Sequence, residues 1–358
     1  MGLQCGIIGL AGVGKTTIFN CLSSNRAQTV SGGGKSNLGM ISVPDERLHK
    51  IDALVKSARV VPTTVEIVDI PGLVKGSTTG SRFLSDIRNT DALIHVLRCF
   101  DDPTVPHPEG SIDPVRDIEI VELELIARDL ESVEKKIARL EKVAKSGDKD
   151  AKKGIEILSI YKHHLEDFKP ARSAPVKEEY AQYIDDIFLL SAKPVMYVCN
   201  VDDQAAVSGN EYSKKVIELF KGTTTEVLII AGKLESEIAE LDDPDDRQVF
   251  LADVGLEEPG VNKLIRSAYR MLNLQTFFTA GPKEVRAWTI RAGATAPQAA
   301  GVIHSDLERG FIRAEVIKYQ DFITLGSEHA CREAGKFYVE GKNYIVQDGD
   351  ILHIRFNV

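Results

Sequence analysis

What this 358-residue sequence is short of already narrows its function. No apolar run approaches the ~18 residues that a bilayer-crossing helix needs, so no membrane partner is expected. The first apolar run opens at Leu3, which leaves no room for a signal peptide, and the expected location is cytoplasmic. The five cysteines, at positions 5, 21, 99, 199 and 331, share no metal-binding or redox spacing and read as small, reduced core residues. Positive charge is not in excess. Lys and Arg number 44 against 53 Asp and Glu, a net charge of −9, which argues against a protein coated in nucleic acid and against readout of a DNA sequence. A local basic face remains open, with Arg286, Arg291, Arg309, Arg313 and Lys318 interleaved with acids near the C-terminus. With 43% hydrophobic and 27% charged residues the composition is that of an ordinary soluble protein of two or three domains.

Against these absences stands one strong motif, Gly9-Leu10-Ala11-Gly12-Val13-Gly14-Lys15-Thr16. It fits G-x-x-x-x-G-K-[ST], follows the apolar strand pattern Leu3 to Leu10 and precedes a helical start at Thr16 to Leu22. In that context the glycines let successive backbone N–H groups curl around phosphates, Lys15 adds charge, and the Thr16 hydroxyl is the expected Mg²⁺ ligand. Gly9, Gly12, Val13, Gly14, Lys15, Thr16 and Thr17 are therefore the expected phosphate-binding residues, with Lys15 also catalytic through charge neutralisation.

The stretch 28–37, with three successive glycines, predicts a loop in the place of a first switch, where Thr29, Ser31 or Ser36 could complete a metal shell. Val65 to Ile70 reads as a strand ending in Asp69-Ile70-Pro71-Gly72. A carboxylate there can hold Mg²⁺ through water, and a glycine N–H can sense the γ-phosphate, so Asp69 and Gly72 join the site. Leu73 stands where many GTPases carry a Gln that positions water, and an apolar side chain cannot do that. Residues 74–80 should form a second switch. After the strand 91–99, a loop with four prolines between Asp101 and Pro114 holds His107, whose value rises because the Gln is missing.

From Asp117 the period changes. Ile126, Leu130, Val133, Ile137, Leu140 and Ala144 step by four and three, Ser146-Gly147-Asp148 breaks the run, and Gly154, Leu158, Tyr161, Leu165 and Phe168 resume it. Two helices joined by a short turn make an antiparallel hairpin with that stripe as its core. A short helix to about Leu190 and a strand 194–199 then deliver Asn200-Val201-Asp202-Asp203, where nucleotide switches read a base. Asn200 suits the N7 edge of a purine, Val201 replaces the usual Lys, and Asp203 suits the N1–H and N2 donors of guanine. Ala231-Gly232, after the strand 226–231, fits the turn that closes over the base, and helices are expected at 245–253 and 260–273. From Thr276 a strand at 285–290, a short helix at 297–303, an extended run 312–319 and a terminal hairpin of 344–346 with 351–356 suggest a compact β-grasp fold.

Taken together, the P-loop, Asp69-Ile70-Pro71-Gly72-Leu73-Val74-Lys75-Gly76, the helical hairpin and the tail resemble the YchF/Obg-like ATPase family over essentially the full length. In the tail, Phe278-Thr279-Ala280-Gly281, Glu284-Val285-Arg286-Ala287-Trp288, Gly310-Phe311-Ile312-Arg313-Ala314-Glu315-Val316 and Tyr344-Ile345-Val346-Gln347-Asp348-Gly349-Asp350 look like that family's TGS domain. The resemblance implies an α/β fold with a P-loop nucleotide-binding domain at 1–116 and 193–275. It implies an inserted coiled-coil hairpin at 117–192 and a ubiquitin-like TGS domain at 276–358. It implies hydrolysis of ATP in preference to GTP, a ribosome or structured RNA as partner, a monomer, and a loop histidine that by position is His107. Gly12 stands where family members carry an Asn that related enzymes use with potassium, which leaves potassium stimulation open. Asp203 stands where the family has Glu, which moves the physics toward guanine. A GTP-preferring enzyme, and a nucleotide-sensing module with negligible hydrolysis, are the alternatives.

Overall fold

A computed structural model describes residues 3–24, 29–30, 37–73 and 79–357 of the chain. The described residues form two compact units. The first takes residues 3–24, 29–30, 37–39, 66–73 and 79–261, the second 40–65 and 262–357.

The strands up to residue 230 are β1 (Gln4–Ile8), β2 (Thr29–Val30), β3 (Asn37–Ser42), β4 (Val60–Val61), β5 (Thr64–Asp69), β6 (Ala92–Cys99), β7 (Val195–Val201) and β8 (Val227–Ile230). The helices over the same stretch are α1 (Lys15–Ser24), α2 (Glu46–Val55), α3 (Thr79–Arg88), α4 (Pro114–Ala144), α5 (Lys149–Glu166) and α6 (Glu211–Leu219). They are followed by α7 (Gly232–Glu240), α8 (Pro244–Asp253) and α9 (Gly260–Met271). The first sheet has the order β2-β3-β5-β1-β6-β7-β8. Its centre is parallel: Ile7 lies beside Asp69 on one side and Ile94 on the other, and Cys99 beside Val201. Every residue of β6 is buried, as expected of a parallel strand covered on both faces. The loops that leave β1, β5, β6, β7 and β8 therefore emerge at one carboxyl edge, where ligands bind in open α/β sheets.

Helices α4 and α5 form the antiparallel hairpin. Asp113 caps α4 by accepting from Arg116 N, with Pro114 at the first helical position, and Asp148 caps α5 by accepting from Ala151 N. Ile126, Val133, Ile157, Leu158, Tyr161 and Leu165 make its core, with Leu130, Ile137 and Leu140 partly buried. Each fully buried aliphatic side chain contributes ~1.5–3 kcal/mol. Gly154 permits the close approach, since a Cβ there would stand 3.0 Å from Leu140 Cδ1. Two expectations fail here. Phe168 leaves the stripe, being 73% exposed at φ +58°, because α5 ends at Glu166 before the stepping does. The helix expected before Leu190 is replaced by two short 3₁₀ turns, Ala171–Ser173 and Glu178–Tyr183. The backbone that follows at 190–191 is anchored by a neighbour instead: buried Asp129 of α4 accepts from Leu190 N and Ser191 N at 2.7 Å each.

The second unit adds β9 (Leu274–Ala280), β10 (Val285–Arg291), α10 (Ala296–Ile303), α11 (Ser305–Arg309) and β11 (Phe311–Ile317). After these come α12 (Tyr319–Leu325), α13 (Glu328–Glu333), β12 (Tyr338–Glu340) and β13 (Ile351–Phe356). Its sheet has the order β12-β11-β13-β9-β10-β4. An antiparallel β9–β10 hairpin, a covering helix α10 and a returning β13 beside β9 make the β-grasp arrangement around Phe277, Ile290, Ala299, Ala300 and Leu352. The expected terminal hairpin is not formed. β13 pairs with β11 and β9, while Ile345 makes only an isolated bridge to Thr295. Residues 40–65, assigned from sequence to the first module, fold into this unit. Leu48 and Ile51 of α2 pack with Phe278, Val285 and Phe322, and β4 runs parallel to β10. Basic groups of the tail meet acids: Arg313 and Arg355 converge on Glu315, and Lys318 lies 2.7 Å from Asp350.

Candidate functional site

The P-loop leaves β1 and turns into α1, so the N–H groups of the helix start face the loop's hollow. Gly14 has φ +91°, and a Cβ there would collide with the Asn200 amide, so only glycine serves. Lys15 is 7% exposed, and its Nζ donates to the carbonyls of Leu10 at 2.6 Å and Gly9 at 3.2 Å. Burial pulls the Lys15 ammonium down to about 8, against the opposing pull of the Asp69 carboxylate. Thr16 Oγ1 donates to Asp69 Oδ2 at 2.9 Å. Burial raises the Asp69 carboxyl above its ordinary value, with Thr16 and Lys15 acting the other way. Gly72 abuts this cluster: a Cβ on it would stand 2.9 Å from Lys15 Nζ. Leu73 donates its N–H to Gly9 O at 3.2 Å and is 5% exposed, so its side chain is part of the core.

At the other end, Asn200 ties three segments together. Its Nδ2 donates to Val13 O, and its Oδ1 accepts from Gly232 N, both at 2.9 Å. Gly232 opens α7, with Ala231 at the cap position. Val201 is buried in the strand core, yet it also lines a cavity of about 580 Å³ together with Gly12, Gly14, Thr17, Asn200 and Asp203. Asp203 Oδ2 lies 3.7 Å from Lys233 Nζ, and its Oδ1 is buried without a hydrogen-bond partner among the described residues.

His107 takes a different position from the free loop residue the sequence suggests. Its Nδ1 accepts from Glu109 N at 3.1 Å, so its Nε2 carries the proton that faces Asp117 Oδ2 at 2.9 Å. The imidazole is 4% exposed, and Arg116 holds the other oxygen of Asp117 at 3.0 Å. One wall of the cavity is formed by Phe100, Asp101, Asp102, Pro103 and Val105, mostly from the proline-rich loop that the sequence allows to fold over a nucleotide, and Lys233 follows the expected Ala231-Gly232 turn; sequence reasoning names none of these six as a site residue. Arg98, which holds that wall, offered one signal: a charged residue inside an otherwise apolar strand. Of the expected switch residues, Ser31, Ser36 and 74–78 lie outside the described residues, and Thr29 belongs to β2, paired with Gly39.

Known proteins share this arrangement. A family profile described as "50S ribosome-binding GTPase" matches residues 4–142, and the profile of the YchF GTPase C-terminal region, described as a "protein of unknown function", matches residues 274–357. The Ribosome-binding ATPase YchF of Bacillus subtilis is 47% identical over the whole of both chains, and that of Haemophilus ducreyi 48%. The chain belongs to the YchF family. The solved YchF GTPase of Schizosaccharomyces pombe superposes with a TM-score of 0.90 at 32% identity, covering 99% of this chain and 98% of that one. The YchF architecture is thus a P-loop domain with a helical hairpin and a TGS-like C-terminal sheet. Among the described residues no helix is long and apolar enough to cross a membrane, and no group of three His, Cys, Asp or Glu could hold a metal by itself.

Proposed function

We propose that this YchF chain is a ribosome-associated, Mg²⁺-dependent P-loop ATPase that works as a conformational switch in the cytoplasm, as a monomer. The observation that supports it most is the convergence of Lys15, Thr16, Asp69 and Gly72 on one hollow beside a cavity large enough for a nucleoside. The relatives' names give the same activity and partner.

Hard oxygen donors suit Mg²⁺, and the hydroxyl of Thr16 and the buried carboxylate of Asp69 already face each other at 2.9 Å, so the pair fits the ion with phosphate oxygens and water completing its shell. When bound, the ion neutralises charge on the β- and γ-oxygens. Lys15 Nζ exchanges its two backbone carbonyls for phosphate oxygens. Residues 9 and 12–17 supply the cradle, and the Gly72 N–H registers the γ-phosphate. Water attacks the γ-phosphorus as the bond to the β–γ bridging oxygen breaks. ADP leaves, and both protons of the water end on inorganic phosphate, which can pass one to solvent. His107 joins this scheme only when its Nε2 leaves Asp117, and His107→Ala should then slow turnover with nucleotide affinity retained. Gly12 offers no side-chain oxygen to potassium, and exchange of sodium for potassium in the same assay tests that ion.

Mg²⁺-dependent phosphate release from ATP, lost in Lys15→Met and strongly reduced in Asp69→Asn, together with nucleotide-dependent co-sedimentation with ribosomes, tests the proposal. Undiminished release by Lys15→Met would refute the site. Binding to ribosomes with no turnover would favour the sensing module. A second reading, GTP as substrate, draws support from the Asp203 carboxylate at the cavity lining, which suits the N1–H and N2 donors of guanine. Competition of ATP against GTP for the same pocket separates the two.

A further inference from the structure

The cavity wall made by residues 100–105 has its own internal support, and it depends on one side chain. Arg98 of β6 is 2% exposed. Its Nη1 donates to Val105 O at 2.7 Å, its Nη2 to Asp102 O at 2.9 Å and its Nε to Phe100 O at 3.2 Å. The guanidinium also sits 4.8 Å from the centre of the Phe100 ring. Smaller contacts finish the loop: Asp102 Oδ1 accepts from Thr104 N at 2.9 Å, and the Tyr212 hydroxyl of α6 reaches Asp101 Oδ1 at 3.2 Å. Phe100, Asp102 and Val105, the residues whose carbonyls Arg98 holds, line the nucleotide cavity, and Val105 packs where Gly12 leaves room.

Three carbonyls directed at one buried group need a donor that is planar, forked and charged at every working pH, which only arginine supplies. Lysine has a single head that cannot span them, and an apolar side chain would leave buried acceptors without partners. We infer that Arg98 is a positioning residue for the nucleotide: through its three carbonyl contacts it fixes the wall against which the nucleoside lies, while the phosphates are bound by β1–α1. The inference rests on the nucleotide-binding reading above. It assigns a role to a residue outside the phosphate-binding loop and outside every motif of the sequence.

The experiment compares wild type, Arg98→Met and Arg98→Lys in the full chain, with ATP, ADP and inorganic tripolyphosphate as probes in equilibrium titrations and ATP turnover alongside. Arg98→Met should weaken ATP and ADP at least tenfold and raise KM by the same factor. Tripolyphosphate affinity and kcat should stay within twofold, and Arg98→Lys should recover part of the loss. If Arg98→Met binds ATP within twofold of wild type, or loses ATP and tripolyphosphate in parallel, the positioning role is wrong. Should Arg98→Met fail to fold, Arg98→Lys decides by the same ratio of ATP to tripolyphosphate. Wild-type protein that binds tripolyphosphate and no nucleoside triphosphate would overturn the nucleotide reading itself, and this inference with it.

Discussion

Lys15 offers a test that needs no mutation, only a change of pH. In the free protein its ammonium is desolvated, and its ionisation falls to about 8. A bound triphosphate places negative oxygens beside Nζ, which favours the charged form and returns the group above that value. The sign follows from linkage. Below pH 8 the lysine is charged before and after binding and affinity does not depend on it. Above pH 8 the free protein has lost the proton that the complex needs, so binding must take one up. With the charged form required, affinity falls roughly tenfold between pH 7 and pH 9 and by nearly tenfold per further pH unit, each factor of ten being about 1.4 kcal/mol. The nucleotide-free protein responds in the opposite sense. A lysine whose folded value lies below its unfolded value opposes folding while it is charged, so this group's contribution to stability improves from pH 8 toward the ordinary value of 10.5. Titration calorimetry of ADP in buffers of different ionisation enthalpy reads the proton uptake directly, and Lys15→Arg, which stays charged, should flatten the profile. Constant affinity from pH 7 to 9.5 with no proton taken up would refute the argument.

Two further outcomes follow from the hydrogen bonds of the first unit. Asn200→Ala removes the partners of Val13 O and Gly232 N at once; two buried backbone groups left unsatisfied cost ~1–3 kcal/mol each, so urea denaturation should show a loss of about 2 kcal/mol or more, and an unchanged stability would show that the P-loop holds its shape without the amide. Asp129→Ala strips the acceptor from Leu190 N, Ser191 N and the Ser191 hydroxyl, the last at 2.6 Å, and should cost the fold ~3 kcal/mol in urea denaturation; a loss under ~1 kcal/mol would mean that water replaces the carboxylate.

What could be read in the sequence was what is encoded locally. The phosphate loop was visible because strand, glycines and helix start are consecutive. The hairpin was visible because its period runs unbroken from Ile126 to Ala144, the last turns of α4. The stepping misled at Phe168, since a period does not say where a helix stops, and it said nothing of residues 40–65, whose apolar face at Leu48 and Ile51 finds its partners more than two hundred residues on, at Phe278 and Val285. The terminal strand erred for the same reason: β13 and the 344–346 stretch are neighbours in sequence, but a β-grasp sheet pairs β13 with β9 and β11.

The site shows the limit in another way. Motif spacing nominates side chains as ligand contacts without saying what those side chains hold before a ligand arrives. Here Lys15 holds two P-loop carbonyls, Thr16 holds Asp69, and Asn200 holds Val13 and Gly232, a partner pair separated from it by 187 and 32 residues. A nucleotide therefore enters a site whose Lys15 and Thr16 already have partners: Lys15 has one N–H beyond the two it gives to carbonyls, and any further phosphate bond from it replaces an existing one, so part of its net contribution is a difference between two bonded states. The Asp203 Oδ1 has no hydrogen-bond partner among the described residues, but it is buried, so a base reaches it only after the carboxylate turns. A base that takes up the Asp203 carboxylate also displaces what that carboxylate already faces, the Lys233 ammonium at 3.7 Å, so the base edge too is read as a difference between two states.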